Sequence, residues 1–220
     1  ADGNIYVASS GSAGGGGTVL ESYTPEGELN WRVLGLNFID CADLDPANQT
    51  DVFTKEERFT VDWSAKSGVE WSYLGYTVNR FGHPQDPRLH LGCSWTWVRR
   101  LEGRRFLFTA KMTHNCLQVY RFDEDGSSEF ATPSALFCRS HIEGDWPPHQ
   151  PNRGEWIWRD GNGNGAFDPG EFEGRDDPAP RGRGIWVDTA GNLWHAGERG
   201  GIRKFPFQGL DESGNPVWSY

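Results

Sequence analysis

The chain has 220 residues with 31 acidic and 21 basic side chains, a formal net charge of −10. That length fits one domain or two small ones, and the negative sign opposes nucleic acid as a partner. No stretch approaches the roughly 18 consecutive apolar residues of a membrane span. Leu, Ile, Val and Phe together number only 44, but 11 Trp, 6 Tyr and 13 Phe can build a core, since each buried aromatic removes roughly 150–250 Å² from water. The 29 Gly and 13 Pro cluster between short apolar runs, the pattern of many tight turns and few long helices.

Along the chain, Ala1-Asp2-Gly3 reads as the interior of a longer product, so a mature or excised piece is expected. The first predicted strands are Ile5–Ala8, Val19–Tyr23 and Leu29–Trp31, separated by the Gly14–Gly17 loop and a Pro25-Glu26-Gly27 turn. No helix follows Gly14–Gly17, so it is not a phosphate cradle. Asn48-Gln49-Thr50 fits the N-glycosylation pattern. Further strands are expected within 50–81, around Asp51–Phe53, Arg58–Trp63 and Val69–Val78. A second copy of the opening layout runs from Ser94–Val98 through 103–109, a turn at His114-Asn115, 117–122, a turn at 124–126, and 129–130. Residues 130–159 could form a further diverged copy. The third copy runs through 184–188, 190–196, 202–205 and 217–218, with Gly turns between. Each full copy reads as a four-stranded antiparallel unit that cannot bury both faces alone, and stacking units around an axis solves that problem.

The run Gly184-Ile-Trp-Val-Asp-Thr-Ala-Gly-Asn-Leu-Trp-His-Ala196, followed by Gly-Gly-Ile-Arg-Lys-Phe, resembles the repeat of the NHL and SMP-30-like propeller families. The resemblance covers about 35 residues well and the other two copies in part. It implies an all-β fold, a β-propeller of about four to five four-stranded blades in a closed, open or partial ring. A β-sandwich with long loops is the alternative. The expected organisation is a single domain, 1–220, carrying a long insertion at about 139–183.

The sharpest local signal lies in that insertion. Residues 160–171, Asp-Gly-Asn-Gly-Asn-Gly-Ala-Phe-Asp-Pro-Gly-Glu, resemble an EF-hand loop of the dockerin-like kind. Oxygen donors fall at alternate positions, as wrapping a hard cation requires. Asp160, Asn162 and Asn164 take positions one, three and five. Gly165 supplies the turn at six. Ala166 offers its carbonyl, Asp168 stands at nine and Glu171 at twelve. Ca²⁺ is the expected ion, with a structural role. The flanks depart from an EF-hand: Glu155–Arg159 reads as a strand, and Asp168–Glu171 could cap one helical turn that ends before Gly174.

Other constellations have ordinary structural readings. Trp95/Trp97 and Trp156/Trp158 are same-face strand pairs, serving either as sugar platforms or as packing between blades. His83, His90, His141 and nearby acids lack a zinc or iron spacing. Arg99, Arg100, Arg104 and Arg105 could hold an anion or pair with nearby acids. Cys41, Cys93, Cys116 and Cys138 allow two disulfides or four reduced thiols, their pairing open. The expected function is a secreted, extracellular or periplasmic binding or scaffolding module of a larger protein. Its ligand would be an unknown protein or carbohydrate. The alternative is a propeller hydrolase, lactonase or polysaccharide lyase acting on carbohydrate or a small ester, with Asp188 and His195 as the first residues to inspect.

Overall fold

A computed structural model describes residues 3–9, 18–36, 41–66, 68–111, 116–123, 129–176, 182–198 and 200–218. Among them the fold is all-β, with five antiparallel sheets and one short helix. Every sheet is a meander, in which strands adjacent in sequence are adjacent in space. The first sheet holds β1 (Ile5–Ser9), β2 (Thr18–Tyr23) and β3 (Leu29–Leu36). The second holds β4 (Ala42–Asp45), β5 (Asn48–Thr54), β6 (Glu57–Val61) and β7 (Trp71–Tyr76). Helix α1 (Pro87–His90) precedes the third sheet. That sheet has six strands: β8 (Trp95–Leu101), β9 (Arg104–Ala110), β10 (Cys116–Arg121), β11 (Thr132–Cys138), β12 (Glu155–Arg159) and β13 (Phe172–Arg175). The fourth holds β14 (Gly182–Val187), β15 (Leu193–Gly197) and β16 (Gly201–Phe205), and the fifth β17 (Phe207–Leu210) and β18 (Pro216–Trp218). Only Pro206 separates β16 from β17. Having no N–H to give a ladder, proline breaks the strand where the pairing partner changes from β15 to β18.

The third sheet is the centre of the molecule, and its period-two pattern buries both faces. On one face Phe106, Phe108, Leu117, Val119, Phe137 and Ile157 meet Val187, Leu193, Phe205 and Trp218 of the last two sheets. On the other, Val98, Leu107, Tyr120 and Phe122 meet Phe53 of the second sheet. Farther along that face Leu136, Trp156 and Trp158 pack on Phe167. Each such side chain, fully buried, contributes about 1.5–3 kcal/mol. The first sheet rests on the second through Tyr6, whose ring lies 5.6 Å from Trp63 and 6.2 Å from Trp71. Trp31 Nε1 also donates to Glu70 at 3.0 Å. The sheets therefore stack in the order of the chain. No closed ring of sheets is detected among the described residues.

The segment between the second and third sheets is anchored by a buried ion pair. Arg88 and Asp86 have fully buried side chains 2.7 Å apart. Asp86 caps the helix by accepting from Arg88 N–H at 2.8 Å. The guanidinium also donates to Thr77 Oγ1 and to the Ala131 carbonyl, and lies 3.8 Å from the Tyr120 ring centre. Every polar atom a buried pair needs is supplied, the condition under which such a pair persists.

Three expectations are corrected. The fourth strand of the second copy is not at 129–130 but at β11. Residues 130–159 do not form a sheet of their own, because β11 and β12 pair side by side and extend the third sheet. No helical turn forms at 168–171: the chain turns there and enters β13, paired with β12 from Glu155–Arg175 to Trp158–Phe172. The strand β4 and helix α1 carry no strong sequence signal and were not anticipated. The turns expected at 114–115 and 124–126, and the Gly14–Gly17 loop, lie outside the described residues.

Candidate functional site

The connection between β12 and β13 is the twelve-residue loop 160–171. It starts where the β12 ladder ends, with Asp160 N–H donating to the Ser134 carbonyl of β11 at 3.1 Å. Asp160 is fully buried and Arg121 Nη2 stands 2.7 Å from its Oδ2. Asn162 Oδ1 accepts from Asn164 N–H at 3.0 Å and Asn164 Oδ1 from Ala166 N–H at 2.7 Å, two successive Asx turns that wind the loop tightly. The two carboxamide nitrogens both donate to Asp168 Oδ2, each at 2.8 Å, and these hydrogen bonds hold the Asp168 carboxyl below its usual pKa. Gly165 takes φ +71°, and a Cβ there would meet the His83 ring at 2.8 Å. Phe167 points inward against Trp158, with ring centres 4.4 Å apart. Glu171 Oε2 accepts from Trp158 Nε1 at 2.8 Å and from Asp168 N–H at 3.2 Å.

The accounting leaves a remainder. Asp160 Oδ1, Asp160 Oδ2 and Glu171 Oε1 are buried and receive no hydrogen bond, and of these only Asp160 Oδ2 is met, by the Arg121 ion pair. A carboxylate oxygen in that position is costly unless a donor or a cation meets it. The structure thus brings Asp160, Asn162, Asn164, Ala166, Asp168 and Glu171 into one loop. Among the described residues, no group of three or more His, Cys, Asp or Glu side chains converges closely enough to hold a metal on their own. The loop's donor set is mixed, with carboxylates, carboxamides and a carbonyl, the chemistry of a hard cation.

A second feature was not anticipated from sequence. A cleft of about 550 Å³ opens where the first three sheets meet. Its walls carry Tyr6, Trp63, Trp71 and Trp95, with Cys41 and Asp43 among the polar groups. Trp95 is 47% exposed, and the buried Trp71 Nε1 has no hydrogen-bond partner. Asp43 is committed: its Oδ2 accepts from Val98 N–H at 2.9 Å and pairs with Arg99 at 3.1 Å. The aromatic count pointed to a core. Only the meeting of three sheets gathers these four rings around one opening.

The remaining expected residues are accounted for. Trp156 and Trp158 are fully buried, which removes them as a ligand platform; Trp97 is buried against Trp186. Arg99, Arg100 and Arg105 pair with Asp43, Asp45 and Asp51, joining the second sheet to the third. Cys116 and Cys138, opposite one another on β10 and β11, form a disulfide, while Cys41 and Cys93 are thiols. The Cys41 hydrogen bond is the largest influence lowering the Cys93 thiol's pKa. His90 stacks on Trp146, and His141 Nδ1 lies 3.1 Å from the Pro151 carbonyl. Asp188 and His195 do not form a catalytic pair. Asp188 is occupied by Ala190 N–H, Asn192 N–H and Trp194 Nε1. His195 is 1% exposed, and burial, with Arg139 and Arg203 nearby, drops its pKa to about 3. No family model matches the chain, and no curated protein matches its sequence.

Proposed function

We propose that the chain is a secreted, calcium-stabilised β-propeller or propeller segment, akin to the NHL and SMP-30-like repeats, that serves as a binding module of a larger extracellular protein. Three features support the propeller reading: meanders of consecutive strands, stacking in chain order, and the continuity of β14–β18 as one four-stranded unit broken at Pro206. The Cys116–Cys138 disulfide supports an oxidising compartment.

The observation that carries the calcium reading is the pair of buried oxygens that neither a hydrogen bond nor an ion pair meets, Asp160 Oδ1 and Glu171 Oε1. Asp160, Asn162, Asn164, Asp168, Glu171 and the Ala166 carbonyl would hold the ion, which would neutralise the loop's carboxylates and fix the long connection between β12 and β13. Arg121, paired with Asp160 Oδ2 and donating to the Gly163 carbonyl at 3.0 Å, already positions the loop's start. The test is calcium titration of the chelated protein by calorimetry, with metal content measured in parallel. One ion per chain, lost in Glu171→Gln, is expected; absence of binding at millimolar calcium ends the reading.

The ligand surface is the aromatic cleft, and a carbohydrate is its best match. The exposed indole face of Trp95 suits the C–H face of a pyranose ring. Binding to a panel of polysaccharides, abolished in Trp95→Ala with the fold intact, is the expected result.

A further inference from the structure

The seam between the second and third sheets is formed by their edge strands, β4 and β8. Contacts cross it at every second residue of β4. Asp45 pairs with Arg100 at 2.6 Å, and Asp43 receives the Val98 N–H and the Arg99 guanidinium. One step further out, just before β4, Cys41 Sγ lies 3.3 Å from Cys93 Sγ. Thr96 Oγ1, 2.7 Å from Cys41 Sγ and 3.7 Å from Cys93 Sγ, keeps the two sulfurs together. The two thiols differ in access: Cys93 is 4% exposed, whereas Cys41 is half-buried and lines the aromatic cleft.

We propose that Cys41 and Cys93 are a thiol–disulfide exchange site, oxidised through the cleft by a low-molecular-weight disulfide to form a second disulfide that staples β4 to β8. The Cys41 thiolate attacks one sulfur of the oxidant RSSR. The RS–SR bond breaks, a Cys41–SR bond forms, and RS⁻ leaves. The Cys93 thiolate then attacks Cys41 Sγ, the Cys41–SR bond breaks and a second RS⁻ leaves. The two cysteine protons go to the two departing thiolates. Two cysteines are oxidised and one RSSR is reduced to two RSH. The order follows from access, because the oxidant reaches the cleft wall and the buried partner resolves the intermediate. The sulfurs need to close only from 3.3 Å to about 2.05 Å. The bond would tie residues 52 apart in sequence and enclose the whole second sheet, which restricts the unfolded chain. Neither calcium nor a cleft ligand is required.

The purified full chain, with calcium present, is mildly reduced so that Cys116–Cys138 survives, and then incubated with glutathione disulfide. Native-state alkylation should fall from two thiols to none, and the intact mass should drop by about two hydrogens. Peptide mapping should join Cys41 to Cys93, and the melting midpoint should rise by several degrees, roughly as expected for closing a loop of this length. Cys93→Ser should stop at one glutathione on Cys41, and Cys41→Ser should leave Cys93 unmodified in the native protein. Two persistent thiols under excess oxidant overturn the proposal, as does a stable glutathione adduct on the parent's Cys41 or a map joining either residue to Cys116 or Cys138. The measurements on the parent protein decide the matter even where a variant fails to fold.

Discussion

Two kinds of Asn/Gly-rich reversal in this protein look alike in sequence and differ in their polar accounting. The turns at 188–192 and 211–215 share the pattern Asp-x-x-Gly-Asn and the same hydrogen bonds. In each, the Asp N–H donates to the Asn carbonyl and the Gly N–H to the Asp carbonyl. The Asp Oδ1 accepts from the Asn N–H at 2.8 Å in both. Their carboxylates are supplied entirely from within the turn and its neighbouring strand. The loop 160–171 uses the same residue types and the same Asx geometry, yet finishes with two buried carboxylate oxygens unmet. The closed hydrogen-bond inventory belongs to the two structural turns; the loop's inventory is left open on carboxylate oxygens.

Asn215 joins the two regions and gives the largest expected effect. It is fully buried; its Nδ2 donates to the Asp160 carbonyl at 2.7 Å, and its Oδ1 accepts from Arg121 at 2.7 Å and Ser134 at 2.8 Å. Asn215→Ala strands these partners. Chemical denaturation should show a loss of about 3 kcal/mol, with the calcium response weakened as well, because Arg121 and Asp160 lose their shared partner. A full calcium response in that variant would mean the turn and the loop are independent.

Gly165→Ala should come next. It requires φ +71° and places a Cβ against His83, costing about 2 kcal/mol. Equal stability of parent and variant, with unchanged calcium affinity, would show that the loop adopts another path.

Glu171→Gln separates a cation site from a turn by sign. With millimolar calcium and an affinity of the extracellular kind, the parent should gain about 1 kcal/mol that the variant lacks. In chelator the variant should be at least as stable as the parent, since the charge on a carboxylate with one buried, unmet oxygen has been removed. Asp211→Asn, by contrast, should destabilise equally with and without calcium, as measured by thermal melts in both buffers.

The most gradual effect is expected from pH. His195 titrates at about 3 in the fold because burial, Arg139 and Arg203 disfavour its charged form. Unfolded, it takes a proton near 6.5. Between those values the unfolded chain binds more protons, so stability falls as pH is lowered from about 6.5 towards 3, on the order of 1 kcal/mol per pH unit. Denaturant melts across that range should lose part of their slope in His195→Gln. An unchanged slope would mean His195 is protonated in the fold.

Much of the local structure was legible because it is periodic. The short apolar and aromatic runs in Ser94–Val98, 103–109 and Glu155–Arg159 mark strands. The oxygen-rich character of the loop 160–171 was legible because Asp160, Asn162 and Asn164 stand at alternate positions. β4 was hidden because Ala42–Asp45 carries two acids and one large apolar residue; it is a strand because β5 pairs with it and Arg99, Arg100 and Arg105 neutralise its acids. The extension of the third sheet by β12 and β13 was equally invisible, since no local signal tells a strand which neighbour it will join.

By itself, then, the sequence determined an all-β chain of short strands and one oxygen-rich loop, both consequences of residue spacing. Only the tertiary structure decided which carboxylates are satisfied and which are left open. It also decided which aromatics are core and which line a cleft, and which cysteines stand within reach of one another. The grouping of aromatics and of cysteines depends on partners tens of residues away, brought near by the burial of both faces of the central sheet.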